Sequence, residues 1–147
     1  MKLFITTSRK PSVRTRRLAK WLAVLLAGKN ENRGKQSVQE LLDAAREAGC
    51  NRILLVYESH GNPSKLSFLD ESGWLEDLPL SILKDGDSKI PRGLPKTAHA
   101  TGSDPRLALF SLPKEGGVAM EFNGNELSFK ADGNAIGPVL RIGGRNG

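Results

Sequence analysis

Five consecutive apolar residues, Ile53-Leu54-Leu55-Val56-Tyr57, constrain the fold of this chain more than any other feature. Successive side chains of a strand point to opposite faces, so a run without polar alternation has two faces to bury. Such a strand belongs inside a sheet with helices on both sides, which is the α/β class. The flanking sequence supplies those helices. From Val13 to Ala27, Leu18, Trp21, Leu22, Leu25 and Leu26 recur at three- and four-residue intervals, the stripe of an amphipathic helix. Pro11 and Ser12 stand where that helix begins, and Gly28 where it ends. Ser37-Val38-Gln39-Glu40 has the form of a capping box and opens a second helix, with Leu41, Leu42, Ala45 and Ala48 on its apolar face and Gly49 as its stop.

Strands fill the rest. Residues 3–7, LFITT, are apolar and β-branched and read as a first strand, while Lys65 to Leu69 alternates and reads as a neighbour of the central one. Residues 84–105 are rich in Gly, Pro, Asp and Ser and read as a connection. Beyond it RLALFSL, VAMEF, ELSFK and PVLRI read as short strands, with Asn123-Gly124 as the hairpin turn between the second and third. The expected organisation is one domain over residues 1–147, with an N-terminal half to about 83, the connection at about 84–105 and a strand-rich half at about 106–147.

Several function classes find no support. The longest apolar run, Trp21 to Ala27, is far short of the ~20 residues that cross a bilayer, and Met1-Lys2 leads straight into a strand, so neither a membrane helix nor a secretory signal is expected. Cys50 is the single cysteine, which points to a reducing, cytoplasmic setting and reads as a small packed residue. His60 and His99 have no Cys, His or acid at ligand spacing, so no metal or other cofactor is expected. No Walker loop and no G-x-S-x-G elbow occurs, and Asp70, Glu71, Glu76 and Asp77 read as solvent-facing charges, which leaves an enzyme unsupported.

Charge is informative through its placement. The net +6 resolves into +9 on residues 1–35, with ten basic side chains and one acid, Glu31, against −3 on the remaining 112 residues. A concentrated basic patch on a mildly acidic body suggests a docking face for a polyanion. On the first helix Arg16, Arg17 and Lys20 fall opposite the apolar stripe. Arg14, Arg16 and Arg17 also crowd the positive end of the helix dipole, at a cost of about 0.3 to 1 kcal/mol each, with no acid within four residues to offset them. A bound anion would offset them. The segment ITTSRKPS adds Thr6, Thr7 and Ser8 hydroxyls beside Arg9 and Lys10 at a strand end followed by a helix N-terminus, an arrangement that holds phosphate.

These residues carry a resemblance. ITTSRKPSVRTRRLAKWLA is similar to the signature that opens the Brix domain, and GKQSVQELLDAAREAG, ILLVYESHGNPSKLSF and IGPVLRI follow in that family's order. The match is good over residues 3–69, thin over 70–134, and returns at GPVLRI. The family's motif falls on Thr6, Thr7, Ser8, Arg9, Pro11, Ser12, Arg14, Thr15, Arg16 and Arg17, and a second motif on Gly61, Asn62, Pro63 and Ser64. The resemblance implies a short archaeal-type ribosome biogenesis factor that binds precursor ribosomal RNA and meets ribosomal or assembly proteins. It also implies two α/β halves with mixed sheets, related to the anticodon-binding domain of class II aminoacyl-tRNA synthetases.

The expected RNA-binding residues are Thr6, Thr7, Ser8, Arg9, Lys10, Ser12, Arg14, Arg16, Arg17 and Lys20, with Lys29, Arg33 and Lys35 extending the track. Six phosphate contacts, by Arg9, Lys10, Arg14, Arg16, Arg17 and Lys20, would give single-stranded RNA a salt slope of roughly −4. The alternative is a small α/β enzyme holding a nucleotide or phosphate ligand in the same turn. The tail GGRNG echoes RGG-type RNA-binding tails but reads first as a chain end.

Overall fold

The computed structural model describes residues 2–143; the last four residues of GGRNG lie outside the described residues. In chain order the elements are β1 (Lys2–Thr7), α1 (Val13–Leu25), β2 (Lys29–Asn30), α2 (Val38–Glu47), β3 (Cys50–Ser59), β4 (Asn62–Asp70), β5 (Gly73–Trp74), β6 (Leu78–Lys84), β7 (Ala98–Thr101), a 3-10 turn (Pro105–Phe110), β8 (Val118–Asn123), β9 (Glu126–Ala131) and β10 (Asn134–Ile142). The protein is α/β with one large mixed sheet of order β2-β1-β3-β4-β6-β10-β9-β8-β7, and β5 attached to β4. β1 runs parallel to both β2 and β3, and β7 parallel to β8; the other pairs are antiparallel.

The chain leaves β1 for the edge through α1, then returns over β1 to β3 through α2. Right-handed connections taken in opposite directions put the two helices on opposite faces. The central run is divided accordingly. Leu54 and Val56 of β3 are fully buried on the α1 side with Leu18, Trp21, Leu22 and Leu25. Ile53 and Leu55 are buried on the α2 side with Leu41 and Ala45. The later strands use one face only: Val118, Met120, Leu127, Phe129, Leu140 and Ile142 join the α1 core, while Glu121 and Lys130 pair across the other face at 3.1 Å.

The structure corrects four local expectations. RLALFSL is not a strand. Asp104 accepts from the Arg106 N–H at 2.9 Å, Pro105 sets the first turn, and the resulting 3-10 turn buries Leu107 and Phe110, three residues apart, with Phe110 edge-on to Phe68 at 5.1 Å. The Gly- and Pro-rich stretch holds β7. The β8–β9 turn is centred on Gly124-Asn125, one residue later than expected, because Asn123 pairs with Glu126. Finally, α1 ends at Leu25, and its left-handed residue is Ala27 (φ 55°). Gly28 donates to the Ala23 carbonyl at 2.8 Å, and a Cβ there would lie 2.8 Å from the Leu3 carbonyl, so the glycine serves close approach to β1.

Candidate nucleic-acid interface

The turn from β1 into α1 is closed upon itself. Ser12 caps α1, its Oγ accepting from the Thr15 N–H at 3.2 Å and donating to the Gly61 carbonyl at 2.7 Å. The Ser12 N–H donates to Glu58 Oε1 at 2.8 Å. That hydrogen bond, with the Thr15 and Ser12 hydroxyls, holds the Glu58 carboxyl below the usual glutamate range. The anion at this helix N-terminus is therefore Glu58, brought from the end of β3, which corrects the expectation of a cationic turn with no offsetting acid. No local signal could reveal it, because 46 residues separate the partners.

Arg14 is also engaged. Its Nε and second guanidinium nitrogen grip the two Asp85 oxygens at 2.9 and 3.0 Å, and its remaining nitrogen donates to Asn62 Oδ1 at 2.8 Å. The Asp85 hydrogen bonds raise the Arg14 pKa further. Through Ser12–Gly61 and Arg14–Asn62 the two segments that resemble the family's motifs meet in space as one clasp. The same side of α1 fixes the following loop: the Trp21 indole N–H donates to the Asp87 carbonyl at 2.9 Å, and a Cβ on Gly86 would come within 2.3 Å of that nitrogen.

The Thr6 and Ser8 hydroxyls do not line an open turn, and Thr7 lies at the wall of the cleft between the start of α1 and the β2–α2 loop. Thr6 and Thr7 are buried; the Thr6 and Ser8 hydroxyls are buried without a hydrogen-bond partner among the described residues, and Thr7 donates to the Ser8 carbonyl at 2.8 Å. Arg33 is buried as well, donating to the Gln36 carbonyl at 2.9 Å and to the Thr7 carbonyl at 3.4 Å, so it braces the β2–α2 loop against the end of β1. Lys29 is exposed but paired with Glu31 at 3.4 Å.

What the fold does assemble is a cleft of about 360 Å³ between the start of α1 and the β2–α2 loop. Lys10, Arg16, Lys20 and Lys35 stand around it, exposed, with Arg33 at its wall. Their four exposed side chains make no ion pair or hydrogen bond among the described residues. Glu31 is the one acidic residue in the lining, beside Asn30 and Asn32, which sequence reasoning missed. Arg9 and Arg17 lie outside the lining; Arg9 is exposed, and its charge adds, after the Ser37 hydrogen bonds, to what holds the Glu40 carboxyl low. Lysine 10 presents itself from a left-handed backbone (φ 50°) just before Pro11.

Elsewhere three of the four residues of the acidic run are paired: Asp70 with Arg52 at 3.7 Å, Glu71 with Arg46 at 3.2 Å and Asp77 with Lys65 at 3.3 Å. Among the described residues no group of three or more His, Cys, Asp or Glu side chains could hold a metal ion, and no helix is long and apolar enough to cross a membrane.

No protein-family model matches the chain. Curated relatives do. A probable Brix domain-containing ribosomal biogenesis protein of Methanosarcina barkeri is 49% identical over 73 residues, 50% of this chain and 45% of the relative. A protein of the same description from Aeropyrum pernix is 32% identical over 123 residues, 80% of this chain and 65% of the relative. The chain spans about half the length of the first curated relatives it matches. Among solved structures, Mil, an archaeal Imp4-like protein, superposes with a TM-score of 0.73 at 28% identity, covering 95% of each chain. In sequence the chain is thus similar to archaeal proteins described as probable Brix domain-containing ribosomal biogenesis proteins, and along nearly its whole length it shares the fold of an archaeal Imp4-like protein.

Proposed function

We propose that the protein is a non-catalytic ribosome biogenesis factor that binds precursor ribosomal RNA in the cleft between α1 and the β2–α2 loop. The observation that carries this reading is the convergence of Lys10, Arg16, Lys20 and Lys35, none of them ion-paired among the described residues, on a concavity of about 360 Å³. Four cations held facing one space repel each other, and a polyanion relieves that repulsion. The names of the relatives, as ribosomal biogenesis proteins, support the cellular role. The kinship to the anticodon-binding domain that the family resemblance implies belongs to the same reading.

The clasp serves this function by positioning. Ser12, Arg14, Glu58 and Asp85 fix the start of α1, so that Arg16 and Lys20 project into the cleft. The rival, a phosphate-ligand enzyme using the β1–α1 turn, is disfavoured because Glu58 already holds the Ser12 N–H there. Crosslinking the protein in cells and sequencing the attached RNA tests the proposal. Enrichment of precursor ribosomal RNA is expected, lost when Lys10, Arg16 and Lys20 are all replaced by Glu; recovery of RNA without ribosomal precursors would overturn it.

A further inference from the structure

Resting on the assignment of the cleft to RNA, we propose that the RNA is bound as a single strand, with one unstacked base seated in the apolar groove that continues the cleft along α1. This groove, about 620 Å³, lies between Val24 and Ala27 at the end of α1 and Ile90, Pro91, Leu94 and Pro95 of the loop before β7. It shares Lys20 and Asn30 with the basic cleft, so the two form one continuous surface. Its lining has no acidic residue and carries Lys20 and Lys96.

A single strand of RNA alternates an anionic phosphate with an apolar base face, and a basic cleft opening into an apolar groove matches that alternation. A duplex keeps its base faces stacked inside and has nothing to place there. Asn30, at the junction, is exposed, and its side-chain amide makes no hydrogen bond among the described residues, leaving a donor and an acceptor for a base edge. An acidic apolar peptide would satisfy the lysines at the rim but not the adjoining cations of Lys10, Arg16 and Lys35, which call for a charge on every unit of the ligand. The groove is also built rather than incidental. Its loop wall is tied to α1 by the Trp21–Asp87 hydrogen bond and by the Arg14–Asp85 ion pair, and Ile90 and Leu94 pack on the core.

Fluorescence anisotropy on the full chain decides, with three labelled probes of about 12 nucleotides: an unstructured RNA, its abasic counterpart with the same phosphates, and a duplex. The unstructured RNA is expected to bind about tenfold tighter than the abasic strand, with the same salt slope. Replacing Ile90→Ser and Leu94→Ser together is expected to erase that difference while leaving abasic binding unchanged. Should that variant fail to fold, 4-thiouridine crosslinks from the wild type decide, expected within residues 23–30 or 90–96. Equal affinity for the base-bearing and abasic strands, preference for the duplex, or displacement of RNA from the groove by an acidic apolar peptide regardless of bases overturns this inference and leaves the cleft standing. Absence of any salt-dependent binding overturns both.

Discussion

Replacing Lys10, Arg16 and Lys20 by glutamine separates the cations that face the cleft from those spent on the fold. Lys10, Arg16, Lys20 and Lys35, all exposed, line the cleft without partners among the described residues. Each phosphate neutralised on a single strand contributes about −0.7 to the slope of log K against log salt, so the native slope should be roughly −3, shallower than six contacts would give. Raising salt from about 50 to 200 mM then weakens binding about 50-fold. The triple variant retains one of the four, its slope should fall to about −0.7, and the same step should cost about threefold. Arg14→Gln removes the same unit of charge, yet its guanidinium is held by Asp85 and Asn62, so the slope should not move. Filter binding across a salt series measures all three proteins. A flat native slope, or an Arg14→Gln variant that loses as much slope as a cleft lysine does, refutes the reasoning.

Glu58→Ala leaves the Ser12 N–H without its acceptor and should cost about 1 kcal/mol of stability, the partial exposure of the site screening the charge. Because the folded-state pKa of Glu58 is lowered, its contribution is complete above the ordinary glutamate value and disappears as pH falls through the folded value. The melting-temperature gap between wild type and Glu58→Gln should therefore be largest near neutrality and close on acidification. Asp104, held at about 2 by the Arg106 hydrogen bonds, should titrate there in a carboxyl-detected NMR series, and in Arg106→Gln it should move back toward the ordinary aspartate range. Trp21→Phe keeps an aromatic ring but removes the donor to Asp87 and part of the buried volume; hydrogen exchange should quicken over residues 85–96 at a cost of at least about 1 kcal/mol. Gly86→Ala drives a Cβ into the same indole and should cost about 1–3 kcal/mol by thermal melting.

Local order was legible because short-range rules set it. The Ser37 capping box forms as read, with Ser37 Oγ accepting from the Glu40 N–H and Glu40 Oε1 from the Ser37 N–H. The double-sided burial of Ile53–Val56 also follows directly from the unbroken apolar run. The two most consequential misreadings involve partners distant in the chain. RLALFSL has a strand's composition, but Asp104 and Pro105 start a helical turn whose Phe110 finds Phe68. Arg33 reads as a surface cation until the Thr7 and Gln36 carbonyls surround it.

By itself the sequence determined that the chain would be α/β with a double-covered central strand, that its positive charge would gather near the N-terminus, and that the ITTSRKPS segment would open a helix. These follow from residue periodicity, capping chemistry and counted charge. Tertiary structure alone decided which charges are available. It assigned Arg14 to Asp85 and Arg33 to the Thr7 carbonyl, and it filled the helix N-terminus with Glu58. It also folded the β2–α2 loop back so that Lys35 faces Lys10, Arg16 and Lys20 across a cleft. The physical reason is that a charge is neutralised by whatever lies within a few ångströms of it, and proximity between residues tens of positions apart is a property of the packed chain.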